Sequence, residues 1–227
     1  MPVAPASSVT QITRARMVNA YLVREADGLT LVDTMFGGSA KRLLAAAADL
    51  GAPIVRIALT HAHGDHIGSL DALARALPAA EVIISARDAR LLNKDKSLDP
   101  GEPKGRWRGS FPGAKTVPTR TVVAGDRIGS LEVVAAPGHT PGHVALLDPR
   151  DGTLICGDAY STLGGVATSA KMNPKFPLPA FATWSPEIEL ASARALRALD
   201  PARLAPGHGP VVEAPGAAMD AAIAKAA

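Results

Sequence analysis

The sequence predicts an α+β fold in which helices cover β-sheets, and two observations carry this prediction. Short apolar runs typical of buried strands alternate with apolar residues at helical spacing along most of the 227 residues. The first strands resemble a hairpin, with a turn signal at Asp27-Gly28, whereas the middle of the chain alternates strand and helix. We therefore expect mixed sheets faced by helices.

In the first half of the chain, alternation of apolar and polar residues indicates the strands. Residues typical of helix ends indicate the helices. Ser39 is a suitable N-cap for a helix, and Gly51 is a suitable residue to end it. The segment between these two residues is rich in alanine. Leu70, Leu73 and Leu77 lie at helical spacing on one face. Together these signals predict strands at 9–18, 19–24, 29–32, 54–59 and 82–84, and helices at 39–51, 69–77 and 86–92.

Two irregular stretches interrupt the second half. Residues 93–118 are charged and rich in Gly and Pro, and residues 161–185 carry aromatic residues among prolines. Connections of this length in a compact domain are usually functional, so both are predicted to be lid loops beside a site. Apolar runs predict the remaining strands, at 131–136, 143–147, 153–156 and 204–205. The remaining helices are predicted at 186–199 and 217–226, and Pro186 is acceptable at the first position of its helix.

Composition narrows the class of protein. A net charge of +3 with 47% hydrophobic and 20% charged residues is typical of a globular protein, and without a long Lys/Arg run it argues against a nucleic-acid partner. Cys156 is the one cysteine, so no internal disulfide can form, and a buried position is expected for it. Residues 1–11 lack signal-peptide features, and no stretch approaches the ~20 apolar residues of a membrane span. We expect a single cytoplasmic domain over 1–227 that acts on a small molecule and has no membrane partner.

Residues 60–69, THAHGDHIGS, are the strongest functional signal. His61, His63, Asp65 and His66 place four potential metal ligands within six positions, and imidazole with carboxylate suits a divalent cation. A predicted strand precedes them and a predicted helix follows, so the ligands are expected on a loop held by rigid elements. Gly64 is expected to adopt a backbone conformation closed to other residues.

All six histidines fall in three short motifs, and the later motifs resemble the first in their position at strand ends. His139 lies in PGHTPGH, Asp158 follows a strand in GD, and His208 lies in GHGP. If these strand ends share one edge of the sheets, the three residues complete a site for two metals. Two cations about 3.5–4 Å apart need a bridging group, which a carboxylate such as that of Asp158 can supply.

The motifs HAHGDH, GHTPGH, GD after an apolar strand and a C-terminal GHG resemble the metallo-β-lactamase superfamily over nearly the whole chain. The resemblance implies an αββα sandwich, in which two mixed sheets pack face to face with helices outside. It assigns His61, His63 and His139 to one metal and Asp65, His66 and His208 to the other, with Asp158 bridging. It also places Asp33 and His143 as supports behind the ligands. The expected cofactors are two divalent ions, zinc first, with manganese or iron also suitable.

The resemblance implies metal-dependent hydrolysis, in which a hydroxide bridging the two metals is the nucleophile at neutral pH. Asp65 would accept its proton, and Asp158 would offset the charge of both cations. Apolar and aromatic residues predicted around the mouth favour a small, partly apolar substrate with a lactone, ester or thioester bond. These residues are Met35, Phe36, Trp107, Phe111, Tyr160, Phe176, Phe181 and Trp184.

Branches of the superfamily leave alternatives open. Glyoxalase II shares all seven ligands, and acyl-homoserine lactonases add a tyrosine soon after the bridging aspartate, for which Tyr160 is the candidate although its offset differs by one. Sulfur dioxygenases keep nearly the same residues, bind one iron and oxidise a persulfide, so this is the main alternative. A β-lactamase-type amide hydrolase is a weaker one, because true β-lactamases lack an aspartate at the position of Asp158.

Overall fold

The structure, a computed structural model, describes residues 8–227. The first seven residues of the N-terminal stretch that argues against a signal peptide therefore lie outside the described residues. Between residues 8 and 227, no helix is both long and apolar enough to cross a membrane.

The first sheet contains strands that lie side by side in the order in which they occur along the chain. They are β1 (Val9–Arg14), β2 (Val18–Glu25), β3 (Gly28–Val32), β4 (Ile54–Ala58), β5 (Glu81–Ser85) and β6 (Arg120–Val122). The first three pair antiparallel, and β3 to β6 pair parallel. The predicted mixture of a hairpin with βαβ units is therefore confirmed within one sheet.

The second sheet has the order β14-β13-β10-β9-β8-β7 and is antiparallel except between β10 and β13. Its strands are β7 (Arg127–Ile128), β8 (Leu131–Ala135), β9 (Val144–Asp148), β10 (Thr153–Gly157), β13 (Arg203–Pro206) and β14 (Val212–Glu213). A separate two-stranded ribbon pairs β11 (Tyr160–Ser161) with β12 (Ala167–Thr168).

Helices cover the outer faces of the two sheets, and two short helices lie beside the candidate ligands. The helices are α1 (Ala40–Asp49), α2 (Gly64–Ile67), α3 (Leu70–Ala76), α4 (Ala86–Leu92), α5 (Leu178–Ala182), α6 (Pro186–Ala198) and α7 (Gly216–Ala226). Leu43 of α1, Leu73 of α3 and Leu91 of α4 are fully buried in one apolar cluster with the first sheet. Leu196 of α6 and Met219 of α7 are fully buried in another with the second sheet.

A third apolar cluster lies between the two sheets, and strand alternation explains how the layers share their residues. In β2, Leu22 faces the helices of the first sheet whereas Tyr21 packs between the sheets. In β10, Leu154 faces α6 and α7 whereas Ile155 packs between the sheets. Since successive side chains of a strand point to opposite faces, a strand buried on both sides is apolar throughout. The layers are helix, sheet, sheet and helix, so the predicted αββα sandwich is confirmed.

Three local predictions need correction. Asp65 and His66 lie in the short helix α2 rather than on a loop. Gly64 does not have a positive φ. Space is tight at this position, because an added Cβ would lie 3.1 Å from Ser110 Oγ and 3.3 Å from Pro112. The stretch 161–185 contains β12 and α5 and is not a continuous loop, whereas residues 93–118 hold neither a helix nor a strand.

Candidate metal centre

The site lies at the edge where strands of both sheets end. The predicted ligands meet there: His61, His63, Asp65 and His66 from the junction of β4 and α2, and His139, Asp158 and His208 from the loops after β8, β10 and β13. They form overlapping groups of three in which one ligand atom from each residue lies within 4.8 Å of the others.

The first cluster consists of His61, His63 and His139, each at most 2% exposed. His63 Nδ1 lies 3.1 Å from His61 Nε2 and 2.9 Å from His139 Nε2. Burial lowers the pKa of all three rings, that of His63 to about 4, so they are neutral at pH 7. A neutral imidazole is the form that binds a metal.

Two threonines determine which ring nitrogen of this cluster carries a proton. Thr60 Oγ1 lies 3.0 Å from His61 Nδ1 and donates its own hydrogen to Asp33 Oδ2. Thr183 Oγ1 lies 3.0 Å from His139 Nδ1 and donates to a backbone carbonyl of α5. Because each hydroxyl donates its own hydrogen to another acceptor, it can only accept a hydrogen bond from the histidine. Both histidines are therefore protonated on Nδ1, and their Nε2 atoms carry no proton.

His63 is held in the opposite tautomer. Its Nε2 lies 3.2 Å from the carbonyl oxygen of Arg108, which can only accept, so Nδ1 is the bare nitrogen. Three unprotonated nitrogens of His61, His63 and His139 therefore point at one another. Facing lone pairs repel, and a cation among them turns this repulsion into coordination. The residues of this cluster fit a divalent metal ion.

The second cluster consists of Asp65, His66 and His208, where carboxylates attract positive charge. Burial alone would lower the pKa of His208, but Asp158 and Asp65 raise it to about 9. Burial alone would raise the pKa of Asp65, but the neighbouring histidines lower it to about 2. His208 Nδ1 faces the carbonyl oxygen of Met17 at 3.1 Å, so Nε2 points inward, 3.4 Å from Asp65 Oδ2.

Asp158 lies between the clusters and contacts both. Its Oδ2 is 3.4 Å from His139 Nε2 and 3.1 Å from His208 Nε2, and its Oδ1 is 3.3 Å from His66 Nε2. Asp158 Oδ1 and His66 Nε2 are buried and, although they lie 3.3 Å apart, neither forms a well-aligned hydrogen bond with the other or with another residue among 8–227. Buried polar atoms without partners are costly, and a bound cation would satisfy both.

Asp33 and His143 lie behind the ligands and contact them. Asp33 accepts hydrogen bonds from Thr60 N and Oγ1, both at 2.8 Å, and lies 2.8 Å from His66 Nδ1. It therefore orients rings of both clusters. His143 Nε2 accepts a 3.0 Å hydrogen bond from the backbone N–H of Asp158, and burial lowers its pKa to about 3.

A cavity of about 440 Å³ opens over the clusters. His63, Asp65, Asp158 and His208 are among the residues that line it. Its wall is largely apolar and includes Met17, Phe36, Leu178, Phe181 and Ser110. Phe181 is 57% exposed and Leu178 52% exposed. Both irregular stretches thus contribute to the wall, and their role as lids stays a prediction.

Only part of the predicted pocket lies in this wall. Phe36 and Phe181 line the cavity, but Met35 is fully buried in the core between the first sheet and its helices. Tyr160 is also fully buried, and its hydroxyl donates a 2.7 Å hydrogen bond to the carbonyl oxygen of Ala193 in α6. The predictions for Met35 and Tyr160 as pocket residues are wrong, because both side chains serve the core.

The other predicted aromatic residues pack around the ligand histidines. Phe111 lies 4.5 Å from the ring of His63, centre to centre, and Trp107 stacks on Trp184 at 6.0 Å. Phe176 is 7% exposed and lies 5.3 Å from the ring of His208. None of these four side chains is among the residues that line the cavity.

Sequence reasoning missed several residues of the site. Thr183 sets the tautomer of His139, and Leu178 supplies exposed apolar surface beside the clusters. Asp88 bonds to two ligand loops, whereas the sequence indicates only that it belongs to a helix. The sequence holds no signal for Thr183 or Asp88, because each acts on loops far from it along the chain.

Comparisons with known proteins agree with this geometry. The family model of the Metallo-beta-lactamase superfamily matches residues 13–208. The uncharacterized protein YobT of Bacillus subtilis is 47% identical over 210 residues, which cover 92% of this chain and 90% of that protein. A hydroxyacylglutathione hydrolase of Rhodospirillum rubrum is 36% identical over 129 residues, 55% of this chain. The matched part is 41% of that enzyme, so the two chains are alike over less than half of its length.

Among solved structures, TTHA1623 in a di-iron-bound form superposes with a TM-score of 0.67 and 29% sequence identity. The match covers 94% of this chain and 96% of that one.

Proposed function

Since the chain belongs to the metallo-beta-lactamase superfamily, whose members are usually metal-dependent hydrolases, we propose that it is a dinuclear metal-dependent hydrolase. The bond cleaved is a lactone, ester or thioester of a small, partly apolar substrate. A relative named hydroxyacylglutathione hydrolase supports an acyl substrate, and a structural neighbour with two irons supports two metals.

One observation carries the proposal. The bare nitrogens of His61, His63 and His139 converge at 2.9 to 3.1 Å, beside a second cluster that Asp158 joins to the first. A set of histidines serving only the core would direct N–H groups at acceptors and leave no lone pairs facing each other.

The protein groups divide the work at the site. Two divalent ions held here would supply an activated water at neutral pH and polarise the scissile carbonyl. The Asp65 carboxylate is ionised, 28% exposed and lines the cavity, so it can accept a proton. Asp158 supplies negative charge to both clusters. The apolar wall at Phe36, Leu178 and Phe181 binds the apolar part of the substrate and excludes water.

Asp158→Asn tests the proposal. An amide carries no charge to offset two cations, so we expect the second metal to be lost and kcat to fall by orders of magnitude. Elemental analysis and a panel of lactones, thioesters, esters and β-lactams measure both effects. Asp200→Asn is the matched control, since that carboxylate is 86% exposed. One iron per wild-type chain with oxygen uptake dependent on a persulfide would instead establish the dioxygenase.

A further inference from the structure

A buried carboxylate on α4 connects two of the ligand loops. Asp88 is fully buried and belongs to neither metal cluster. Its Oδ2 accepts a 2.9 Å hydrogen bond from the backbone N–H of Ala62, which lies between the first two ligand histidines. The same oxygen accepts a 2.7 Å bond from Thr140 Oγ1, and Oδ1 accepts a 2.8 Å bond from the N–H of Gly142. The two oxygens thus bind the loop after β4 and the loop after β8.

The second loop is built to approach this carboxylate closely. A Cβ added to Gly142 would lie 2.5 Å from Asp88 N and 2.6 Å from its Oδ1. Ser85 Oγ, also 2.6 Å from that Cβ, accepts a 3.1 Å bond from the N–H of Asp88 and holds the start of α4 in place. The second glycine of PGHTPGH is therefore required for contact with α4.

The bonding partners of Asp88 suit a charged carboxylate, because all three of them are donors. Burial raises its pKa to about 6, while the bonds from Thr140, Ala62 and Gly142 limit the rise. As a carboxylate it can accept all three bonds, since it needs no proton on either oxygen.

We propose that Asp88 is a positioning residue that holds the two histidine loops in register, so that His61, His63 and His139 converge tightly enough to bind a metal ion. The inference rests on the proposed function, because it assumes a metal at this cluster. His61 and His63 come from the first sheet and His139 from the second, so the cluster spans both sheets. Asp88 is a single buried anchor for both halves of the cluster.

An amide at this position cannot replace the carboxylate. The oxygen of an asparagine can serve the donors on one side only. Its NH₂ group then faces a buried donor of Ala62 or Gly142, and neither group finds an acceptor. One loop must move away, which separates the bare nitrogens.

The experiment compares Co²⁺ binding by wild type, Asp88→Asn and Asp71→Asn, using competition with a chelator and the visible spectrum of the bound Co²⁺. Asp71 is matched to Asp88 in its bonds, because it also accepts them from two backbone N–H groups and a threonine hydroxyl: Lys115 N, Thr116 N and Thr116 Oγ1, none of which belongs to a ligand loop. We expect Asp88→Asn to weaken the affinity by about 10- to 100-fold and to change the spectrum, as loss of a support behind ligands does elsewhere. Asp71→Asn should stay within about twofold of wild type.

A graded pair keeps the test decisive if Asp88→Asn folds poorly. Thr140→Val removes one bond to Asp88, and Thr140→Ser restores the hydroxyl. We expect weaker Co²⁺ binding in the first and near wild-type binding in the second. Hydrogen exchange of metal-free protein should show faster exchange at Ala62 and Gly142 in Asp88→Asn. Wild-type affinity in both Asp88→Asn and Thr140→Val would overturn the positioning role alone. A wild-type protein that binds no Co²⁺ would overturn the proposed function as well.

Discussion

The direction of each imidazole in the centre depends on the atom bound to its outer nitrogen. Thr60 and Thr183 fix His61 and His139, a backbone carbonyl fixes His63, and Asp33 fixes His66. Such partners orient ligands and are part of a metal site as much as the ligands are. The ligands could be predicted because they lie in dense motifs at strand ends. Their partners could not, because a threonine in an irregular segment looks like any other.

Asp33 shows how far prediction reaches at this scale. Its place on the loop after β3 indicated a residue near the site, but not which ligand it serves. In the structure its φ is +62°, a left-handed conformation that is unusual for a residue other than glycine. That conformation accompanies bonds to both Thr60 and His66, so strain is accepted where two clusters are oriented at once.

Tyr160→Phe tests the correction for that residue. The hydroxyl is buried and bonds to Ala193 O, so its loss should reduce the free energy of unfolding by about 0.5–1.5 kcal/mol. Activity and metal content should not change, because the ring lies in the core behind α6. Urea unfolding and steady-state kinetics measure the two effects. A fall in kcat of more than tenfold with normal stability would return Tyr160 to the catalytic site.

At the scale of elements, α4 links the site with the first irregular segment. Asp88 points inward to the ligand loops, whereas Arg87 pairs with Glu102 at 2.7 Å and Arg90 pairs with Asp95 at 3.0 Å. Further along the segment, Ser110 O accepts a 2.9 Å bond from the N–H of Gly64 in α2. The irregular character of residues 93–118 followed from their Gly and Pro content. The anchors that hold the segment did not, because charged residues in a loop have many alternative partners.

Helix α5 could not be predicted from the sequence. Its five residues, LPAFA, follow a proline and include a second one, so the sequence resembled a loop. The helix nevertheless forms, with proline within its first two positions, where a missing N–H is tolerated. Its exposed residues Leu178 and Phe181 lie at helical spacing and face the cavity together.

Leu178→Ala and Phe181→Ala test whether α5 recognises the substrate. Both remove apolar surface from the cavity wall and neither residue supports a ligand, so KM should rise about 5- to 30-fold for substrates with an apolar group, equivalent to about 1–2 kcal/mol of lost contact. Metal content should stay at the wild-type value. Leu199→Ala is the control, since Leu199 is 41% exposed and follows α6 outside this wall.

Phe176 and Trp184 require separate treatment, although the sequence grouped them with Phe181. Both are at most 7% exposed, and Trp184 N bonds to the carbonyl oxygen of His139. Replacing them should disturb the clusters as well as the wall.

If Phe181→Ala and Leu178→Ala leave every substrate's KM unchanged, α5 has no part in recognition.

At the scale of the whole molecule, two layers of helices and two sheets leave one edge at which the strand ends of both sheets meet. The layers could be predicted because each strand and helix carries its own periodic pattern. The pairing of the sheets' ends could only be assumed from the repeated placement of His and Asp after strands. In the structure, Asn19 N bonds to Gly207 O at 2.8 Å, and the Tyr21 hydroxyl donates to Pro206 O at 2.6 Å. These bonds from β2 fix the His208 loop of the second sheet to the first, and no local pattern indicates them.

Because the centre joins the two sheets, metal removal should weaken the whole fold. Without cations, bare nitrogens of the first cluster repel, and neither Asp158 Oδ1 nor His66 Nε2 forms a well-aligned hydrogen bond among the described residues. A metal present at about 1,000 times its Kd stabilises the folded state by about 4 kcal/mol. For a chain of this length each kcal/mol shifts the Tm by about 2–4 °C, so chelation should lower the Tm by roughly 10 °C.

Differential scanning calorimetry with and without a chelator measures the shift. Zn²⁺ should restore the Tm and Mg²⁺ should not, since a cluster of three imidazoles suits zinc and Mg²⁺ prefers oxygen ligands. Equal recovery with both ions would mean that the clusters do not favour zinc over magnesium. An unchanged Tm, after analysis shows that the metal is gone, would mean that metal binding is not coupled to the packing of the two sheets.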